Sequence, residues 1–184
     1  MRPAWPLALF VAVLAAQRVG ELLHSRRNTQ RLLARGARES GRGHYPVMVA
    51  LHALFPLALV AEVVALGARP GRLAPLWLGV WLAAQALRIA AIRALGERWS
   101  TRVLVLPGVP LVRRGPYRWL RHPNYLAVVI EFLAAPMMFG AWRTALAFSL
   151  ADLALLGVRV RCEARALAGA PPAPGEIEAP RALC

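Results

Sequence analysis

Residues 113–125, RRGPYRWLRHPNY, are the stretch around which the rest of this chain is arranged. Here a Gly-Pro pair, two tyrosines, a histidine and several arginines stand directly before an apolar run. The Gly115-Pro116 pair indicates a turn. Pro123 suits the first position of a helix, because its missing N–H is not needed there. We therefore predict that a helix begins at His122-Pro123, near a membrane surface.

The composition supports a membrane protein. Hydrophobic residues make up 58% of the 184 residues, whereas about 45 to 50% is typical of soluble domains. The net charge of +14 comes with no lysine. On a soluble chain it would suggest nucleic acid, but the arginines lie between long apolar runs, so we expect no nucleic-acid partner. The spacing of Cys162 and Cys184 indicates neither a metal site nor a disulfide framework.

Five apolar runs have about the length and composition of membrane-spanning helices. We therefore predict an all-α polytopic fold in a single membrane domain covering residues 1–184. For the first run a signal peptide is the alternative, because Met1 and Arg2 precede it. The Pro- and Gly-rich tail, residues 170–184, is predicted to be disordered. The predicted spans cover residues 5–23, 46–66, 75–95, 124–139 and 144–158.

The distribution of arginine predicts the topology. Residues 24–45, 93–121 and 159–184 contain 17 of the 23 arginines. Positively charged segments of membrane proteins stay on the cytoplasmic side. We therefore expect the N-terminus outside and the C-terminus in the cytoplasm, with residues 113–125 and the charged tail on the same side.

Ionisable residues inside the predicted spans are the next signal. Glu62, Glu131 and Asp152 should face the bundle interior and have partners, because unpaired charges are costly in lipid. Arg88 is a candidate partner for one of them. Arg18 and Arg88 lie near helix ends, from which their side chains can extend to the membrane surface.

Two groups of residues are candidates for a site. His122, Asn124 and Tyr125 lie at a predicted helix N-terminus, where free backbone N–H groups can bind an anion such as a carboxylate. Arg159 and Glu163 are four residues apart and share a helix face. Each group also has an ordinary interpretation: a structural helix cap with interfacial aromatic residues, and a surface ion pair.

Together these residues resemble a known family. The pattern GPYxWxRHPNY, a two-span hairpin and RxxxExxxL at Arg159, Glu163 and Leu167 are similar to the isoprenylcysteine carboxyl methyltransferase family, especially its small bacterial members. The family usually has a second acid after Glu163, where this chain has Ala164, and a Tyr-bearing segment beyond it, which this chain lacks. The resemblance implies an S-adenosylmethionine-dependent O-methyltransferase in which Arg159 lies at the substrate. It implies a cofactor site formed by Pro110, Leu111, Val112, Tyr117, His122, Pro123, Asn124, Tyr125 and Glu163.

On this interpretation the methyl acceptor is a carboxylate or acidic hydroxyl of a hydrophobic, lipid-like molecule that enters from the membrane lipid. The resemblance to bacterial members places the protein in the inner (cytoplasmic) membrane. Two alternatives stay open. One is a nicotinamide-dependent reductase of the sterol-reductase type, which has a similar multi-span layout. The other is a catalytically inactive membrane scaffold, which the departure at Ala164 favours.

Overall fold

The computed structural model describes residues 5–169, which form five α-helices, three short 3₁₀-helices and one two-stranded sheet. The predicted disordered tail, residues 170–184, lies outside the described residues. The strands are β1 (Arg38–Ser40) and β2 (Val103–Val105), and the 3₁₀-helices are Arg42–His44, Gly96–Arg98 and Gly115–Arg118. The α-helices are α1 (Trp5–Ala34), α2 (Tyr45–Ala65), α3 (Ala74–Leu95), α4 (Pro123–Met138) and α5 (Trp142–Ala168).

Three helical segments of the described chain are long and apolar enough to cross a membrane: Trp5–Ala34, Arg42–Ala65 and Ala74–Arg98. Helix α4 is apolar, but it has 16 residues. At 1.5 Å per residue it rises about 24 Å, less than the roughly 30 Å of a bilayer core. The structure thus supports three of the five predicted spans, and the spans at residues 124–139 and 144–158 stay predictions.

The distribution of side chains is the inverse of that in a soluble protein. Leu57 and Val64 on α2 are 64% and 71% exposed, whereas Arg88, Glu131 and Asp152 are only 2 to 4% exposed. Water would favour the opposite arrangement. In lipid, apolar groups gain nothing by turning inward, while charged groups gain partners there. This distribution is that of an integral membrane bundle.

Helix α4 lies at the centre and packs against α3 and α5. Ala127, Ala134 and Ala135 on α4 are fully buried, and such small side chains let neighbouring helices approach closely. Phe132 fills the space toward α2, where its ring meets the Phe55 ring edge-on at 4.6 Å. Because α4 begins at Pro123, this packing fixes the position of the helix start that the sequence singles out.

Glu62 stabilises the turn that joins α4 to α5. Its carboxylate accepts hydrogen bonds from the backbone N–H of Arg143 (3.1 Å) and from the N–H and hydroxyl of Thr144 (both 2.6 Å). These groups belong to the first turn of α5, which has no partner within the helix for its N–H donors. The prediction that Glu62 faces the interior and has partners is therefore confirmed.

The opposite end of the bundle carries the sheet and residues 113–125, and we call it the loop end. Helix α1 continues there past its apolar run as far as Ala34. On this extension, the Asn28 side chain donates to the carbonyls of Gly96 (3.1 Å) and Trp99 (2.8 Å). These bonds hold the segment after α3 against α1.

The small sheet corrects the all-α prediction. β1 and β2 pair antiparallel, with Arg38 opposite Val105 and Ser40 opposite Val103. Glu39 of β1 is bound by Arg102 at 2.8 Å, which joins the two segments. Three-residue strands are too short to show an alternating pattern, and their pairing partners lie far apart in sequence. The described chain is otherwise helical, as predicted.

Candidate functional site

The Tyr125 hydroxyl joins the two halves of the candidate site. It donates a hydrogen bond to Oε2 of Glu163 at 2.6 Å and accepts one from Nε of Arg159 at 2.9 Å. Tyr125 is in the first turn of α4, and the other two residues are on the last turns of α5. Within the described chain no ion pair joins Arg159 to Glu163 directly, so the simple surface ion pair is not what forms.

His122 completes this centre from the position just before α4. Its ring stacks on the Tyr125 ring with 5.0 Å between centroids and 6° between planes. Its Nδ1 lies 3.9 Å from Oε2 of Glu163. The His122 carbonyl accepts from the N–H of Tyr125 at 3.1 Å, so the helix start itself fixes both rings. Pro123 directly after it is fully buried.

Tyr117 reaches the same centre from the Gly115–Arg118 turn. Burial raises the pKa of the Tyr117 phenol, and the nearby Glu163 carboxylate adds to the effect. The turn is anchored to the end of α3, where Nε of Arg114 donates to the Ala94 carbonyl at 2.9 Å. Tyr117 therefore stays a neutral hydroxyl beside Glu163 at ordinary pH.

The segment Pro110, Leu111 and Val112 is not joined to this centre by any hydrogen bond of the described residues. The Pro110 carbonyl accepts from Arg98 at 2.6 Å instead, and Leu111 is 62% exposed. Its assignment to a cofactor site stays a prediction from the resemblance. Asn124 differs, because its Oδ1 is buried without a partner in residues 5–169 and it lines the cavity beside the centre.

An internal cavity of about 220 Å³ extends from Tyr125 and Arg159 into the bundle. We call it the inner cavity. Arg159 is 5% exposed there, and its Nη1 donates to the Met48 sulfur at 2.8 Å. Its polar lining is Arg18, Glu21, Tyr45, His52, Arg88, Thr101, Asn124, Tyr125, Asp152 and Arg159, and its other lining residues include Met48, Val49, Val128, Leu155 and Leu156.

Arg18, Glu21 and Arg88, which line the inner cavity, form an ionic cluster with Glu131. Arg18 pairs with Glu21 at 2.5 Å and with Glu131, while Arg88 pairs with Glu21 at 3.3 Å and with Glu131. The prediction that Glu131 faces inward is confirmed, and the structure shows that it is the acid with which Arg88 and Arg18 both pair. Arg88 does not extend to the surface, because its side chain is buried and pairs with Glu21 and Glu131. The Arg18 side chain is 21% exposed and pairs with the same two acids.

Asp152 also lines the inner cavity and is 2% exposed, as predicted for an acid inside a span. Its expected partner is missing: Oδ2 has no hydrogen bond within the described residues. The sequence predicts that Asp152 faces the interior, but it assigns neither Asp152 nor the α1 and α2 residues to the site. The signal that could have found Arg18, Glu21 and Arg88 is their ionisable character inside apolar helices.

A second, more open cavity of about 600 Å³ lies on another face of α5 at the loop end. His44 of the Arg42–His44 3₁₀-helix lines it. The other lining residues are Ser40, Gly41, Val158, Arg161, Cys162, Arg165 and Ala166. Glu163 and Tyr125 do not line this cavity, so it is separate from the centre described above.

The part of the chain that forms this centre matches a known protein family. Residues 77–169 match the model of the isoprenylcysteine carboxyl methyltransferase (ICMT) family. The chain is 42% identical over 162 residues to the uncharacterized protein YpbQ of Bacillus subtilis, covering 86% of this chain and 95% of that protein. It is 27% identical over 157 residues to an uncharacterized protein of Haemophilus influenzae, covering 85% and 91%. No solved structure gives a significant match. The matched region contains the Tyr125 centre.

Proposed function

The chain belongs to the isoprenylcysteine carboxyl methyltransferase family, and from this premise we propose that it is an S-adenosylmethionine-dependent O-methyltransferase acting on a carboxylate or acidic hydroxyl of a hydrophobic acceptor. The observation that carries the proposal is the Tyr125 hydroxyl, which links Arg159 to Glu163 beside the His122 ring. Family membership by itself supports a methyltransferase. The linked residues support the use of this cofactor and the position of the reaction.

The residues around Glu163 fit the chemistry of the cofactor. S-adenosylmethionine carries a cationic sulfonium and an ammonium group, hydroxyls and a carboxylate. The Glu163 side chain is 29% exposed, so it is accessible to a cationic or hydroxyl group. The buried Oδ1 of Asn124 has no partner in the described chain and can accept from a ligand N–H or O–H. The residues that would hold the cofactor are Tyr117, His122, Pro123, Asn124, Tyr125 and Glu163, with Pro110, Leu111 and Val112 implied by the resemblance.

Arg159 has the position needed to bind the acceptor. Its guanidinium is buried, faces the inner cavity and has no carboxylate partner in residues 5–169. A guanidinium binds an anionic oxygen through short, charge-assisted hydrogen bonds. In a buried site it also favours the ionised form of a nearby acid. Arg159 would therefore hold the acceptor oxygen in its nucleophilic form, and a carboxylate or acidic hydroxyl would need no separate base.

When bound, S-adenosylmethionine would supply an electrophilic methyl group to the acceptor oxygen, and its sulfur would keep the electron pair of the broken carbon–sulfur bond. The protein contributes orientation and exclusion of water. Tyr125 fixes the Arg159 guanidinium relative to the Glu163 carboxylate, and so fixes acceptor relative to donor. Holding two reactants in line removes most of the entropic cost of their encounter. The buried lining keeps the anionic oxygen away from bulk water.

The location of the protein is part of the same proposal. We place it in the bacterial cytoplasmic membrane, with the loop end and the C-terminus inside, because most of the arginines belong to that end. A polar cofactor then reaches Glu163 from the cytoplasm, while the acceptor enters from membrane lipid. Alkaline phosphatase fused to the C-terminus should be inactive in cells, and a fluorescent protein fused there should be bright. The reverse pattern would contradict this orientation.

Binding of labelled S-adenosylmethionine to the purified protein in detergent tests the function. We expect saturable binding that weakens about 10- to 150-fold in Glu163→Gln, because one charged hydrogen-bond partner is worth about 1.5–3 kcal/mol. His122→Ala should also weaken it. Glu97→Gln is the matched control, since the Glu97 side chain is 63% exposed and pairs with Arg31 away from the site.

The alternatives give different results in the same assay. Saturable binding of NADPH in place of S-adenosylmethionine would favour the reductase, and binding of neither nucleotide would favour a scaffold. Arg159→Ala tests the acceptor role. We expect this variant to bind labelled S-adenosylmethionine but to lose most incorporation of labelled methyl into extracted membrane lipids. Loss of cofactor binding with unchanged methyl transfer per bound cofactor would contradict the role assigned to Arg159.

A further inference from the structure

Two buried ionisable side chains of α5 line the inner cavity without an ion-pair partner among the described residues. Asp152 and Arg159 are 2% and 5% exposed. Among residues 5–169 neither takes part in an ion pair, and Oδ2 of Asp152 has no hydrogen bond. A buried charge is costly unless a partner compensates it. Every member of the ionic cluster in the same bundle has such a partner. Asp152 and Arg159 do not, which calls for an explanation.

The two side chains cannot easily compensate each other. They are seven residues apart on α5, which is about two turns and about 10 Å along the helix axis. The space between them is the inner cavity. A molecule that fills the cavity can meet both at once, with an anionic oxygen at Arg159 and a hydrogen-bond donor at Asp152.

The chemistry of Asp152 limits the group that pairs with it. As a carboxylate it only accepts a hydrogen bond, and as a carboxylic acid it can also donate one. An ammonium group only donates and a carboxylate only accepts, so each suits Asp152 in one form only. A hydroxyl both donates and accepts, so it pairs with Asp152 in either form. Arg88, which also lines the cavity, already has Glu21 and Glu131 as partners.

The size of the cavity limits the group that enters it. Its volume is about 220 Å³, and a cavity of about 150 Å³ is enough for benzene. One ring or a short branched head with polar substituents fits. A long hydrocarbon chain does not fit, and it would also lie against the ionic cluster. Such a chain has to leave through the apolar side, where Val128, Leu155 and Leu156 line the wall.

We propose that the inner cavity binds the polar head of the methyl acceptor, and that Asp152 recognises a hydroxyl distinct from the oxygen held by Arg159. This inference rests on the proposed methyltransferase function. The substrate class is a hydrophobic chain with a compact head that carries an acidic oxygen and a separate hydroxyl. Asp152 is a specificity-determining residue, because the head group that lacks the second hydroxyl leaves its carboxyl group unpaired.

Calorimetric binding of decylhydroquinone to the purified protein in detergent, with ascorbate to keep it reduced, tests the proposal. The comparison ligands are the two decylphenols that each lack one of its hydroxyls. We expect the wild-type protein to bind decylhydroquinone about 10- to 150-fold more tightly than either phenol, the value of one hydrogen bond to a charged group. In Asp152→Leu the preference over one phenol, the one that keeps the oxygen held by Arg159, should fall to within about threefold, while the preference over the other phenol stays. Asp152→Asn should retain part of the first preference.

Ser149→Ala is the matched control. Ser149 lies one turn before Asp152 on α5, and its Oγ is also buried without a partner in residues 5–169, but it does not line the inner cavity. It should leave the preference unchanged. The proposal is overturned if decylhydroquinone does not bind saturably, if the wild-type protein does not prefer it, or if Asp152→Leu keeps the full preference over both phenols. Binding of labelled S-adenosylmethionine to the same samples is also measured. If it does not bind, the methyltransferase function is contradicted, rather than the role assigned to Asp152.

Discussion

Replacing Tyr125 with phenylalanine tests the centre of the proposed site with the removal of one oxygen atom. The ring stays, so its stacking on His122 at 5.0 Å and its contact with the Arg159 guanidinium at 5.2 Å are retained. What disappears is the hydroxyl that donates to Glu163 at 2.6 Å and accepts from Arg159 at 2.9 Å. The perturbation therefore separates the role of the hydroxyl from the packing of the ring.

The structure sets the size of the expected effect. A hydrogen bond to a charged group contributes about 1.5–3 kcal/mol. The Glu163 side chain is 29% exposed and can bind water instead, so the loss of its hydrogen bond to Tyr125 adds little. Arg159 is 5% exposed, and its Nε would have no ready substitute. We therefore expect Tyr125→Phe to lower the rate of methyl transfer about 10- to 150-fold, which corresponds to the free energy of one such bond. The loss of cofactor affinity should be smaller.

The assay is the initial rate of labelled-methyl incorporation into lipid extracted from membranes that contain equal amounts of each variant. Tyr45→Phe makes the same chemical change nearby. Its hydroxyl bonds the neutral Thr101 side chain at 3.3 Å, so we expect at most about a tenfold loss. A Tyr125→Phe rate within twofold of the wild-type rate would refute the role of the hydroxyl.

Two further predictions concern stability, and both are measured as the unfolding temperature and denaturant midpoint of the purified protein in detergent. Glu131→Gln leaves the buried Arg88 with one carboxylate fewer, and we expect about 3–5 kcal/mol of destabilisation, the usual result of breaking a buried pair from one side; an unchanged midpoint would contradict the ionic cluster. Gly140→Ala should destabilise by at least about 1–2 kcal/mol, because φ is +73° and the new Cβ would lie 2.0 Å from the Arg69 carbonyl oxygen. Gly79→Ala within α3, where a Cβ meets nothing within 4 Å, should be neutral or stabilising by up to about 1 kcal/mol, and equal losses in both variants would argue against the turn geometry.

For the ionic cluster, the sequence predicts the orientation of a residue but not its partner. The cost of a charge in lipid predicts that Glu131 faces inward, and the structure confirms it. The same argument does not say which arginine pairs with it. Arg18 reaches Glu131 across 113 positions of sequence, and the alternative of extending to the surface is equally consistent with its place near a helix end. The packing of α1 and α3 around α4 decides between them.

The sequence by itself determined the local elements: the long apolar helices, the helix start at His122-Pro123, and the shared face of Arg159 and Glu163. Each depends on residues within a few positions of one another, so hydropathy, proline geometry and helical periodicity are sufficient. The tertiary structure decided that Tyr125 links those elements across 34 and 38 positions, that β1 pairs with β2, and that Arg88, Asp152 and Arg159 enclose one cavity. These results depend on how each helix is rotated about its axis and how deeply it packs. Helices that are apolar on every outward face carry little information in their hydropathy about that rotation, so it is fixed by the pairing of their few buried polar groups.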